Sequence, residues 1–292
     1  MHDLIDTFPA YLSYWNKYRL ESIEEQIEGW RTTYMVKWPE LLQKQIEDYK
    51  SEGFDWHDIA LERVFPNLEQ RLPAMQVAYN NLQNILPPTL SKASRVLNYG
   101  GDLVLVIYVG IGLGAGWVTT YDNRPAILFG LENIAECGWI EINALTGLVA
   151  HEFGHVVHFH RRAQANLPRG NGPWWQLYSE GFAMRSEHLV MGSSSWHMRE
   201  REGAGDWLEW CRANLTWLAA EFIRKVDAGE PVRPFFGSWF DLQGYRQTGY
   251  YLGHELIRIL EADLTMAEIA LLSEDDPLLV EEVAKLADQS AC

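Results

Sequence analysis

The spacing of apolar residues changes along the chain, and each change predicts a different kind of structure. Over the first 98 residues, apolar positions recur at helical spacing between charged ones, which predicts amphipathic helices at 11–34, 40–50 and 68–85. Pro87 and Pro88 are expected to end this helical array, because proline has no amide hydrogen and its ring clashes with the preceding helical turn.

Between residues 102 and 129 the pattern becomes typical of β-strands. A β-branched apolar run at 102–109 predicts a buried strand, and two further strands are expected at 117–121 and 125–129. Asp122 and Asn123 are turn-forming residues, so the last two strands are expected to be joined by a tight turn. The glycine-rich stretch 110–116 leads into a strand and not a helix, which favours a turn over a phosphate-binding loop.

Helical spacing returns after residue 140 and continues to the end of the chain. Helices are predicted at 142–160, 174–190, 205–228, 247–261 and 277–288. Together these patterns predict a mostly helical α+β fold, with a small sheet of three or more strands and flanking helices. We expect an N-terminal helical region at 1–98 and a second domain at 99–292.

Residues 151–155 read His-Glu-Phe-Gly-His and lie inside one of the predicted helices. Positions i and i+4 share a helix face, so the imidazoles of His151 and His155 can reach one metal ion. Glu152 projects beside them, where its carboxylate could accept a proton from a water molecule activated by that ion. The plainer alternative is a helix with two surface histidines and a solvated glutamate.

A zinc ion held by two histidines needs a third protein ligand. Glu180 is the favoured candidate: 24 residues separate it from His155, and a loop rich in turn residues lies between them. The competing third ligands are His158, Glu187 and His188.

Three segments resemble a known family. Residues 174–183, WWQLYSEGFA, resemble the segment that carries the third zinc ligand in gluzincin metallopeptidases, especially the thermolysin-like zinc aminopeptidases. Residues 250–260 are similar to the helix that carries the family's transition-state tyrosine, although Leu252 stands where the family has lysine. Residues 130–133 are a weaker match to the segment whose glutamate binds the substrate's amino group. The layout also fits small bacterial predicted zinc proteases.

The resemblance implies a zincin-like catalytic core within 99–292, with Zn²⁺ bound by His151, His155 and Glu180. It implies that Tyr250 stabilises the oxyanion in the transition state.

Two roles remain open at this point. Tyr251, Tyr245 and His254 are rival oxyanion donors. Glu132 is implied as a substrate-binding residue for a peptide amine, with a strand-ending turn as its alternative role.

The composition of the chain excludes some classes of binding partner. A net charge of −16 without a basic stripe argues against nucleic acid and against anionic membranes as partners. The three cysteines are scattered, and no secretion signal or membrane-spanning run is expected, so the predicted location is the cytoplasm. We therefore expect a zinc metallopeptidase that acts on peptides or proteins and uses Glu152 as general base. The alternatives are a zinc hydrolase of a non-peptide amide or ester, and a non-catalytic metal-binding protein.

Overall fold

The computed structural model describes most of the chain, namely residues 2–192, 195–200, 206–237 and 239–288. Helices dominate and one small sheet is present, which confirms the predicted α+β class. None of the described helices is long and apolar enough to cross a membrane. Cys137 and Cys211 are buried free thiols, and Cys292 lies outside the described residues.

The chain divides into two compact units. The first contains Met1–Pro88 and Gly100–Leu145, and the second contains Thr89–Tyr99 and Thr146–Cys292. The expected domain division at residue 98 stays a prediction.

The first unit contains a four-stranded sheet in the order β1-β2-β4-β3. Its strands are β1 His2–Asp6, β2 Leu103–Tyr108, β3 Gly116–Tyr121 and β4 Arg124–Gly130. β1 and β4 pair in parallel with the two edges of β2, while β3 pairs antiparallel with β4. Every residue of β2 is buried, as its continuous apolar run predicts for a central strand.

The three strands expected between 102 and 129 are present, and so is the turn. Asp122 and Asn123 both have positive φ, 50° and 56°, which is the conformation of a two-residue type I′ hairpin. β1 was not expected from the sequence, because a five-residue strand that pairs with residues about a hundred positions away leaves little local periodicity.

The helices of the first unit are α1 Phe8–Tyr18, α2 Ile23–Gly29, α3 Pro39–Ser51, α4 Trp56–Ile59, the start of α5 Leu68–Val96, and α6 Leu131–Cys137. The single helix predicted at 11–34 is wrong, because the chain breaks after Tyr18 and starts again at α2. Ser22 and Glu25 form a capping box at that point, which satisfies amides at the new helix start.

α5 corrects a second expectation. It runs through Pro87 and Pro88 and ends only at Val96. A proline inside a helix costs roughly 3 kcal/mol. The apolar stripe nevertheless continues past the prolines with the buried residues Leu90 and Ala93, so burial outweighs the local penalty.

The helices that follow are α7 Ile142–Gln164, α8 Gly172–Met191, α9 Trp207–Ala213, α10 Leu215–Asp227, α11 Arg233–Phe236, α12 Thr248–Leu260, α13 Met266–Ile269 and α14 Pro277–Ala287. All but the first residues of α7 belong to the second unit. The helices predicted at 142–160, 174–190, 247–261 and 277–288 are confirmed to within a few residues at each end. The one predicted at 205–228 is two helices, α9 and α10.

Two glycines set the close packing of the second unit. A Cβ atom on Gly181 of α8 would lie 2.2 Å from the carbonyl oxygen of Gly253 on α12, so the two backbones touch there. A Cβ atom on Gly154 of α7 would lie 2.6 Å from the Cβ of Ser186 on α8. Glycine at these positions lets α8 lie directly against both neighbouring helices.

Candidate metal centre

The second unit brings together the three predicted zinc ligands. His151 and His155 lie one helical turn apart on α7, and both are almost fully buried, 2% and 8% exposed. Glu180 comes from α8, which lies close to α7 because Gly154 has no side chain. The Nε2 atoms of His151 and His155 lie 3.2 and 3.3 Å from the same oxygen, Oε2 of Glu180.

These separations fit the edges of a tetrahedral zinc site. Zinc–nitrogen and zinc–oxygen distances near 2.0–2.2 Å imply neighbouring ligand atoms about 3.3–3.5 Å apart. The two observed separations from Oε2 of Glu180 are close to that value. Both separations are therefore compatible with three ligands of one small tetrahedral cation.

A second group of potential ligands shares His151. One nitrogen of His151, an oxygen of Glu187 and a nitrogen of His197 lie within 4.8 Å of one another, and all three residues are buried. Here Nδ1 of His197 is only 2.6 Å from Oε2 of Glu187. That separation is too short for two ligands of one tetrahedral ion, but it is typical of a charge-assisted hydrogen bond. We interpret Glu187 and His197 as a buried hydrogen-bonded pair that supports His151 by packing, since the ring centroids of His197 and His151 lie 5.0 Å apart.

Two further hydrogen bonds hold the Glu187 carboxylate in this pair. Its Oε1 accepts hydrogen bonds from the Ser195 hydroxyl at 2.6 Å and from the His197 amide at 3.1 Å. Burial alone would raise the pKa of Glu187, but the charge and hydrogen bond of His197 outweigh burial and hold it at about 2. Gly147 leaves the necessary room, since a Cβ atom there would lie 2.8 Å from Oε1 of Glu187.

Burial and charge also set the pKa values of the predicted ligands. Burial lowers the pKa of His151 to about 4, which favours the neutral imidazole that metal binding requires. Burial opposes the ionised form of Glu180, yet the two imidazoles beside it hold its pKa well below the usual range. For His155 burial acts downward, but Glu180 and Glu152 together raise its pKa. Its Nδ1 lies 3.3 Å from the Ser179 hydroxyl, which orients the ring.

Glu152, the predicted general base, is 5% exposed. Burial raises its pKa to about 7. None of the residues that the structure describes donates a hydrogen bond to its carboxyl group. This carboxyl can therefore gain or lose a proton near neutral pH without breaking a hydrogen bond inside the described part of the protein.

Of the four candidate oxyanion donors, Tyr250 lies beside a predicted ligand. Its ring centroid is 5.6 Å from that of His151. By contrast, Tyr251 packs among Trp196 and Trp207, and the Tyr245 hydroxyl donates to Asp206, 2.8 Å away.

His254, the last candidate oxyanion donor, and the competing zinc ligands His158 and His188 contact other side chains of the second unit. His254 lies 2.9 Å from His188, nitrogen to nitrogen, and also contacts Glu255. His158 is fully buried, stacks on Trp175, and its Nε2 lies 3.2 Å from the Tyr178 hydroxyl. Neither His158 nor His188 belongs to the groups of potential metal ligands found in the described residues.

Glu132 belongs to the first unit, where it is fully buried at the start of α6. Its Oε1 accepts a hydrogen bond from the amide of Gly112, 3.1 Å away, and a Cβ atom on Gly110 would lie 3.0 Å from the same oxygen. Burial raises the pKa of Glu132 to about 7, against the lowering effect of the Gly110 and Gly112 amides. The segment ends β4 and begins a short helix, and the amine-binding role of Glu132 stays a prediction.

Sequence reasoning did not find His197. It stands 46 residues after His151, beyond the end of α8, in a segment without periodicity. Glu187 was detectable, because it follows Glu180 by seven residues, two helical turns along the same face of α8.

Comparison with known proteins returned no match: no protein family, no curated protein and no solved structure resembles the chain significantly.

Proposed function

We propose that this protein is a zinc-dependent hydrolase of peptide bonds with a zincin-like core, in which His151, His155 and Glu180 hold the ion. The observation that carries the proposal is the convergence of two Nε2 atoms on one carboxylate oxygen at 3.2 and 3.3 Å. It is strengthened by Glu152, a buried carboxyl on the same helix that accepts no hydrogen bond from a described residue. A metal-binding role alone would not need that carboxyl.

The proposed chemistry combines the ion with the side chains around it. A zinc ion in such a site polarises a carbonyl group and lowers the pKa of a water molecule towards neutrality. The Glu152 carboxylate, with a pKa of about 7, can accept the proton of the attacking water and pass it to the leaving amine. The hydroxyl of Tyr250 would donate a hydrogen bond to the carbonyl oxygen as negative charge develops there.

Burial of the ligands supports the same proposal. His151 is 2% exposed and its ring packs against that of His197, with centroids 5.0 Å apart, so the His151 ring has little freedom to turn. A ligand held in one orientation loses less entropy when it binds an ion, and it keeps the geometry that catalysis requires.

The test is Glu152→Gln compared with the unaltered protein. We expect the variant to retain zinc, measured by mass spectrometry of the purified protein, because Glu152 is not a ligand. Hydrolysis of a mixed peptide library should fall by about 10²–10⁴-fold, the usual contribution of a general base. Glu141→Gln is the matched control, since Glu141 is exposed just before α7 and should retain full activity.

Full activity in Glu152→Gln would contradict the mechanism. Tightly bound zinc in a protein that cleaves no peptide would instead favour an amide or ester hydrolase, or a non-catalytic metal-binding protein.

A further inference from the structure

Arg169 lies in the loop between α7 and α8, and its guanidinium group is held close to the candidate metal centre. Its Cζ atom is 3.8 Å from the centroid of the Phe159 ring. Phe159 in turn stacks on His155, with centroids 5.7 Å apart and an interplanar angle of 22°. A cation–π contact of this kind therefore keeps the guanidinium within about 10 Å of the ring of a predicted zinc ligand.

Arg161 and Arg162, near Arg169 in the sequence, use their guanidinium groups to bind backbone carbonyls. Arg161 donates to the carbonyl oxygen of Leu97. Arg162 is 3% exposed, lies 4.9 Å from the Trp175 ring, and donates to three backbone carbonyls, those of Pro168, Ala270 and Leu272. Both therefore bind backbone carbonyls and contribute to packing.

Arg169 differs from both. It is exposed, and no described residue accepts a hydrogen bond from it or forms an ion pair with it. The carboxylate of Glu274 approaches the same loop, but it accepts the amide of Asn171 at 3.3 Å. The contact with Phe159 holds the Arg169 guanidinium over the ring and leaves its N–H donors available. In a chain of net charge −16, this is an oriented positive group without a carboxylate partner among the described residues.

We infer that Arg169 binds a carboxylate of the peptide substrate. The inference rests on the proposed function, and it adds a substrate class: peptides with a negative group close to the cleaved bond. Arginine is suited to this role, because its planar fork of donors matches a carboxylate with two parallel hydrogen bonds.

The distance limits where that carboxylate stands in the substrate. The guanidinium carbon lies at most about 10 Å from the His155 ring, and the separations from metal to ring and from guanidinium to carboxylate add about 3 and 4 Å. An extended peptide advances roughly 3.3–3.6 Å per residue, so the carboxylate lies within about five residues of the bond at the metal. It is the C-terminus of a short peptide or the side chain of an acidic residue.

The test measures binding, so that it does not depend on turnover. The zinc-loaded Glu152→Gln protein is titrated calorimetrically with acetyl-trialanine carrying either a C-terminal carboxylate or a carboxamide. A second pair, acetyl-Ala-Glu-Ala-amide and acetyl-Ala-Gln-Ala-amide, places the charge on a side chain. We expect one of the carboxylate peptides to bind about tenfold more tightly than its neutral partner, in line with a charge-assisted hydrogen bond at an exposed site. The pair that discriminates identifies the source of the carboxylate.

Adding Arg169→Gln should bring that ratio close to one, and Arg169→Lys should restore part of it. Arg95→Gln is the matched control: it removes the same charge from an exposed arginine of the same unit and should leave the ratio unchanged.

A ratio near one for both pairs in the presence of Arg169 would overturn the inference. So would a tenfold ratio that survives Arg169→Gln, since the carboxylate would then be bound at the metal. If the binding preference depends on Arg169 but no peptide is cleaved by the unaltered protein, the proposed function fails and the carboxylate site stands.

Discussion

The two units of this protein each bury a glutamate whose pKa is raised to about 7, yet the two carboxyls differ in what surrounds them. Glu132, in the first unit, lies against the glycine-rich loop between β2 and β3 and accepts a hydrogen bond from the amide of Gly112. Glu152, in the second unit, accepts no hydrogen bond from a described residue and has His155, Glu180 and His197 as its charged neighbours. Burial raises both pKa values, whereas the neighbours decide whether the carboxyl is locked in place or able to exchange a proton.

Within the second unit, neighbouring side chains likewise decide whether the pKa of a buried carboxyl is raised or lowered. Glu180 and Glu187 lie on the same helix and are largely or fully buried, yet their pKa values are lowered because each contacts imidazoles. A buried glutamate beside histidines becomes a ligand or a fixed anion. One without such a hydrogen-bonded contact holds its proton more tightly.

The largest effect is expected from Glu187→Ala, which removes the acceptor for His197 and Ser195. Breaking a buried, hydrogen-bonded pair of this kind lowers the free energy of unfolding by about 3–5 kcal/mol. Urea denaturation measures the change. Glu187→Gln keeps an acceptor oxygen and should lose less. A change below about 1 kcal/mol in Glu187→Ala would mean that the pair behaves like an exposed one.

The next effect is on metal affinity. We expect Glu180→Ala to weaken zinc binding by more than about a hundredfold, because even residues behind the ligands commonly contribute 10–100-fold. His151→Ala and His155→Ala should behave alike, and competition with a chelator of known affinity measures the loss. The control is Glu281→Ala, which removes an exposed carboxyl from α14 of the same unit. Stoichiometric tight zinc in Glu180→Ala would move the third ligand to Glu187 or His188.

The ionisation of Glu132 should make the free energy of unfolding depend on pH. Its folded pKa of about 7 lies above the unfolded value near 4.5, so its stabilising contribution is complete below pH 4.5. That contribution is lost as pH rises towards 7. Between pH 5 and pH 8 it amounts to about 2–3 kcal/mol, from 1.36 kcal/mol per unit of pKa shift. The unaltered protein should lose this much more stability over that interval than Glu132→Gln, which cannot ionise.

Urea denaturation at the two pH values gives the difference between the two proteins. Glu62→Gln, at an exposed position of the first unit, should follow the unaltered protein. Parallel pH profiles for Glu132→Gln and the unaltered protein would contradict a buried, proton-holding carboxyl.

The smallest effect is expected on the choice of substrate amine. Because Glu132 is fully buried and bound to a backbone amide, Glu132→Gln should change the ratio of kcat/KM for free and acetylated peptides less than about threefold. The amine-binding role predicts the opposite, a loss of about 1.5–3 kcal/mol confined to peptides with a free amine. Measuring both peptide classes with both proteins decides between the two roles of Glu132.

Local patterns in the sequence were sufficient to predict several features of the fold. The hairpin at Asp122 and Asn123 follows from turn chemistry between two neighbouring strands, and α7, α8, α12 and α14 follow from helical spacing. The shared face of His151 and His155 also follows from spacing, because four residues make about one helical turn. In each case the interacting residues are close in sequence, so periodicity alone carries the information.

Only the tertiary structure decided the rest. α5 continues through Pro87 and Pro88 because buried side chains beyond them outweigh the local cost, and β1 exists because β2 offers it a partner about a hundred residues away. The meeting of Glu180 with both histidines depends on how closely α8 approaches α7 at Gly154. The support from His197 and the stack of Arg169 on Phe159 likewise join separate segments. Such contacts leave no periodic trace, because their free energy comes from burial and charge between elements and not from the order of residues within one.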